Sequence, residues 1–116
     1  MLRRCRAGDF ICLLACTVAV CTAPTASNAG DVKAGRQKAL QCQTCHGLDG
    51  QAKLPEAPNL AGQTELYLIK SLQDYRAGAR KNDMMSIVAA ALKDQDISDL
   101  AAYYAAIPFT VGAPPK

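Results

Sequence analysis

The sequence predicts an all-α fold, on three features of this 116-residue chain. Ile97, Leu100, Ala101 and Tyr104 recur at the i, i+3, i+4, i+7 spacing of one helix face. Leu68, Leu72 and Tyr75, with Leu66 and Ile69 alongside, make a second apolar stripe at helical spacing. No segment alternates apolar and polar residues long enough to argue for a strand. The length fits one domain, and no internal repeat, low-complexity tract or linker divides it.

The first 29 residues read as an export signal rather than as part of that domain. Arg3, Arg4 and Arg6 give a basic start, Phe10 to Cys21 an apolar stretch, and Ser27-Asn28-Ala29 a small-residue cleavage pattern. The cut is expected after Ala29. A membrane-spanning helix needs roughly 20 apolar residues; this run is shorter and soon meets Pro24 and Asn28. Residues 30–116 then form the domain, with no stable membrane insertion expected after cleavage.

Cleavage changes the cysteine and charge arithmetic. Of the six cysteines, Cys5, Cys12, Cys16 and Cys21 leave with the signal, so Cys42 and Cys45 remain. The formal charge of +3 belongs to the precursor. It falls when three arginines and Asp9 depart, so it gives no argument for nucleic acid or an acidic membrane as partner.

Asp31 to about Gln41 is expected as a short helix, with Asp31 at the favourable positive end of its dipole. Gly47 to Gly62 is loop, interrupted by Gly50, Pro55 and Pro58. Thr64 is a predicted N-cap for a helix reaching about Ala77, where Gly78 can end it. Met85 to Leu92 follows as a short helix. The last helix starts at Asp94 or a neighbour, with Asp94 expected as its cap because the lysine at position 93 cannot accept a backbone N–H as a capping side chain does, and Pro108 closes it.

Cys42-Gln43-Thr44-Cys45-His46 carries the chemistry. C-x-x-C-H is the attachment pattern of a c-type haem: two thiols add to the macrocycle and the histidine reaches the iron. Zinc would need four ligands, usually from two separated pairs; there is no second pair, and His46 is the sole histidine. A thioredoxin-like redox pair would sit in a βαβ unit, and a plain disulfide leaves His46 unexplained. The expected cofactor is therefore one haem c per chain, bound through Cys42 and Cys45 and ligated by His46. The sixth ligand decides the chemistry, since an open position binds substrate or gas and a methionine closes it. The candidates beyond the signal are Met84 and Met85.

Across residues 30–116 the chain resembles a small class I cytochrome c, and is especially similar to one half of the dihaem bacterial cytochromes of the c-four type. The matching stretches are Gly30-Asp31 with Gly35 ahead of Cys42–Gly47, then Pro58-Asn59-Leu60-Ala61-Gly62-Gln63, Tyr67-Leu68, Asp74-Tyr75, Gly78-x-Arg80, Met84-Met85 and Asp94 to Tyr104. The resemblance implies about four helices wrapped around one covalently attached haem. Its ligand methionine stands seven residues before the leucine that precedes the last helix; Leu92 selects Met85 and leaves Met84 to pack in the core. It implies that the Pro58 carbonyl accepts a hydrogen bond from His46, and that Gly35 admits Tyr103 or Tyr104 where the first and last helices cross. Arg80 and Asn82 become candidates for contact with a haem propionate or with the methionine loop.

The function implied is that of an exported, periplasmic electron carrier of a Gram-negative-type bacterium, not an enzyme by itself, with redox proteins as donor and acceptor. A terminal oxidase or a flavoprotein dehydrogenase is among the implied partners. The alternative is the haem subunit of a periplasmic dehydrogenase, for example a flavocytochrome oxidising reduced sulfur. A haem catalyst or gas sensor would require that neither methionine ligates. Gln41, Gln43, Thr44, Leu48 and Gln51 around the attachment motif are uncharged, so partner encounters are expected to be weak and only modestly salt-dependent.

Overall fold

The computed structural model describes residues 29–115; among these there are helices and no strand. The predicted export signal lies outside the described residues except for Ala29. Helix α1 (Val32–Lys38) runs into a 3-10 turn (Ala39–Gln41) and then a single helical turn, α2 (Gln43–His46). Helices α3 (Glu65–Arg76), α4 (Asp83–Ala90) and α5 (Asp94–Ala105) complete the fold.

Local chemistry sets the boundaries. Asp31 caps α1 by accepting the Ala34 N–H at 2.7 Å, satisfying a donor that the first helical turn leaves orphaned. Thr64 does the same for α3 through Tyr67. The α3 C-terminus turns at Gly78, whose φ of 76° is costly for a side chain bearing Cβ. Helix α4 begins two residues earlier than its apolar pattern indicates, because Asn82 caps it.

The start of α5 corrects the expectation for Asp94. Lys93 occupies the cap position with extended backbone, and the carboxylate of Asp96 accepts the Lys93 N–H at 2.9 Å. The capping acceptor comes from the third helical residue and satisfies the N–H of position 93 itself, so the helix starts at Asp94 with a lysine at its cap.

Helix α1 packs across α5, and α3 packs on both α5 and α4. Gly35 makes the α1–α5 crossing close: it lies against the Asp99 carbonyl, and a Cβ there would stand 2.7 Å from the Tyr103 Cβ. Of the two tyrosines it is Tyr103 that Gly35 meets, at its Cβ. Leu68, Leu92, Ile97, Leu100, Ala101 and Tyr104 are buried together in the core. Leu66 departs from its predicted stripe and is 79% exposed.

One polar group is buried at the same crossing. Asp99 is 3% exposed, and its Oδ1 accepts the Asp31 N–H at 2.9 Å and the Gln95 side-chain N–H at 2.8 Å. Lys38 lies 3.6 Å from its other oxygen and 3.1 Å from Asp96. A buried carboxylate so surrounded avoids the cost of an unpartnered charge.

Candidate functional site

The attachment motif owes its geometry to one helical turn. Cys42 precedes α2 and Cys45 lies within it, and residues three apart share a helix face. The His46 N–H donates to the Cys42 carbonyl at 2.9 Å, closing the turn. Both cysteines are half-buried. Burial, then the neighbouring Cys45 sulfur, pushes the Cys42 thiol up to about 11. Redox-active thiols in C-x-x-C pairs are shifted the other way.

His46 is buried, and its Nδ1 is 2.9 Å from the Pro58 carbonyl oxygen. A carbonyl can only accept, so Nδ1 carries the proton and Nε2 keeps its lone pair free. The loop is folded to deliver that carbonyl. Gly50, with φ 69°, turns tightly against Ala61, and its carbonyl accepts the N–H groups of Leu60 at 2.8 Å and Ala61 at 3.1 Å. The Asn59 side chain accepts from the Ala52 N–H at 2.7 Å.

The far side of the motif is held from α5. The Tyr103 hydroxyl donates to the Leu48 carbonyl at 2.6 Å and that of Tyr104 to the Gly47 carbonyl at 3.2 Å. Burial raises the Tyr104 hydroxyl pKa above the ordinary phenol range, so it remains a donor. Sequence reading placed these tyrosines in the core but missed the hydrogen bonds. The available signal was that a buried phenol generally finds a polar partner.

Cys42, Cys45, His46, Pro58, Met84 and Met85 border one cavity of about 440 Å³, walled largely by Leu60, Leu68, Leu72, Val88, Leu100 and Tyr104. Met85 is half-buried. Met84, expected in the core, is 63% exposed: α4 lies at the rim, and adjacent residues on a helix cannot share one face. Asn82 accepts the N–H groups of Met84 at 3.1 Å and Met85 at 2.9 Å and so contacts the methionine turn.

Arg80 lies at the rim, folded back by the Gly78 turn so that its N–H donates to the Asp74 carbonyl at 3.0 Å. Its guanidinium stands 4.7 Å from the centre of the Tyr75 ring and 3.4 Å from the Ser71 hydroxyl. Proximity to Arg80 lowers the pKa of the Tyr67 hydroxyl. No acidic residue borders this cavity; Glu56 and Asp83 line the adjoining recess instead.

The donor set fits a covalently held haem. Two thiols on one helix face, an imidazole with a free Nε2 and a thioether border a mostly apolar chamber within the usual size range of cofactor sites. Among the described residues, no three His, Cys, Asp or Glu side chains gather closely enough to enclose a bare ion.

Comparison with known proteins agrees. A family profile described as cytochrome c matches residues 32–106. The chain belongs to the cytochrome c family. Cytochrome c4 of Pseudomonas aeruginosa is 45% identical over 84 residues, covering 72% of this chain and 42% of that protein. Cytochrome c-554(548) of Halomonas halodenitrificans is 48% identical over 79 residues, covering 66% of this chain and 95% of that protein. The crystal structure of reduced cytochrome c4 from Pseudomonas stutzeri superposes with a TM-score of 0.66 at 43% identity, over 72% of this chain and 49% of that one. The chain thus spans less than half the length of the cytochrome c4 sequences it matches. The fold is that of an all-α class I cytochrome c. Cytochromes of this family are electron-transfer proteins rather than enzymes; they bind haem c covalently through paired cysteines, a pattern that Cys42 and Cys45 fit.

Proposed function

We propose that the protein is an exported monohaem cytochrome that carries single electrons between periplasmic redox partners, with residues 1–29 as a cleaved signal and 30–116 as the haem domain. The observation that carries this reading is the single cavity bordered by Cys42, Cys45, His46 and Met85.

In this reading Cys42 and Cys45 would hold the haem by thioethers, and His46 and Met85 would ligate its iron. When bound, the haem supplies a one-electron iron couple whose potential follows its axial ligands and surroundings. Pro58 orients the His46 ring and, by accepting its Nδ1–H, makes Nε2 a better donor. The apolar walls exclude water. Arg80, bordering a cavity with no acidic residue of its own, supplies positive charge for the haem carboxylates. The signal pattern and the bacterial cytochrome relatives support a periplasmic location, and among the described residues no helix is long and apolar enough to cross a membrane.

A second reading makes the chain the haem partner of a periplasmic dehydrogenase, for example a flavoprotein oxidising reduced sulfur. It draws support from a relative in Stutzerimonas stutzeri named as a thiosulfate dehydrogenase electron acceptor, 42% identical over 71 residues. That match covers 60% of this chain and 33% of the relative. Potentiometric titration of the haem-loaded protein, followed by its visible spectrum, tests the main reading. A low-spin ferric spectrum and one reversible one-electron step are expected. A high-spin ferric iron would mean an open sixth position and a ligand-binding or catalytic role. Co-purification of a flavoprotein would favour the second reading.

A further inference from the structure

Two adjacent sulfurs border the cavity, and something in the fold must choose between them. Met84 and Met85 follow one another in the first turn of α4, where successive side chains point about 100° apart. A rotation of about 100° or fraying of that turn would bring Met84 in as Met85 swings away. Helix α4 has eight residues, far too few to be stable by itself, so its first turn must be fixed by local contacts.

Those contacts centre on Asn82. Its side-chain oxygen accepts the Met85 N–H at 2.9 Å and the Met84 N–H at 3.1 Å. Its own N–H donates to the Ser86 hydroxyl at 3.2 Å, and the Ser86 N–H returns to the Asn82 carbonyl at 2.9 Å. This is a reciprocal cap closed around the two methionines. We propose that Asn82 is the positioning residue that presents Met85, rather than Met84, to the haem iron. The inference rests on the methionine ligation proposed above.

Proton NMR of the haem methyl groups in the ferric, haem-loaded protein tests it, because these resonances report the orientation of the axial sulfur. The parent protein should give one set. Asn82→Ala should give a second set that disappears when Met84→Leu is added, and should bind added imidazole at the iron about fivefold more tightly, the equivalent of losing a typical N-cap. Asn82→Ser, which keeps an accepting oxygen, should restore the single set. A single unchanged set in Asn82→Ala overturns the proposal, whatever happens to thermal stability. Parent protein with no methionine bound to iron overturns both this inference and the ligation beneath it; methionine ligation in the parent with an unaltered Asn82→Ala overturns this inference alone.

Discussion

The carboxylate of Asp99 accepts the backbone N–H of Asp31 at 2.9 Å, fastening the start of α1 to the middle of α5. Since the Asp31 side chain also caps α1, a single residue is tied both to its own helix and to the helix that crosses it. That hydrogen bond, with the one from Gln95 and the nearby charge of Lys38, holds the Asp99 pKa below the ordinary carboxylate range against the opposing effect of burial.

A carboxylate with a depressed folded pKa stabilises the fold above its unfolded pKa, and the contribution fades as pH falls through the folded value. Asp99→Asn should therefore lower stability at neutral pH by about 1–3 kcal/mol, the cost of disrupting buried hydrogen bonds to a charged acceptor. The difference should shrink as pH drops below about 4. Thermal unfolding of both proteins between pH 7 and acid measures this, and a pH-independent difference would contradict it.

Gly35 is the second fastening of the same crossing. A side chain there meets the Asp99 carbonyl and the Tyr103 Cβ, so the helices must separate. Gly35→Val should destabilise the protein by about 1–3 kcal/mol or more through overpacking, and Gly35→Ala by less. Denaturant titration gives both values; a neutral Gly35→Val would mean that the crossing is looser than it stands.

How much of this was legible in the sequence follows from what each feature depends on. The helices at Thr64 and Ile97 were readable because capping and apolar spacing are local. The motif was readable because three residues at fixed spacing carry its chemistry. The single turn at Gln43–His46 is too short to show a period. The Lys93 boundary was misjudged because its acceptor comes from Asp96. Asp99 reads as one more polar residue in an acidic stretch, and only the crossing of α1 reveals its burial. Met84 reads as core because the pattern marks apolarity but not which side of α4 is walled by α3.

The choice between the two sulfurs has a direct consequence for potential. Met85→His should retain covalent haem but lower the midpoint potential by a sizeable part of the roughly 0.8 V that axial ligation spans. Met84→Leu should alter it little, as fits a side chain that is 63% exposed. Potentiometry of the two variants decides, and reversed outcomes would assign the ligand to Met84.

The cavity also predicts how the chain behaves without its cofactor. Without the macrocycle, the mostly apolar walls of a chamber of about 440 Å³ lose their packing partner, in a domain small enough to be marginal on its own core. Protein lacking haem should be largely unfolded. Far-ultraviolet circular dichroism should show little helix, and a native-like cooperative melt would refute the expectation.

Mass spectrometry of protein produced with a haem-attachment system, under denaturing conditions, tests the central claim most directly. The polypeptide should carry the mass of one haem, retained after unfolding and located by digestion to the peptide containing Cys42 and Cys45. A denatured chain with no added macrocycle and both thiols free would contradict it.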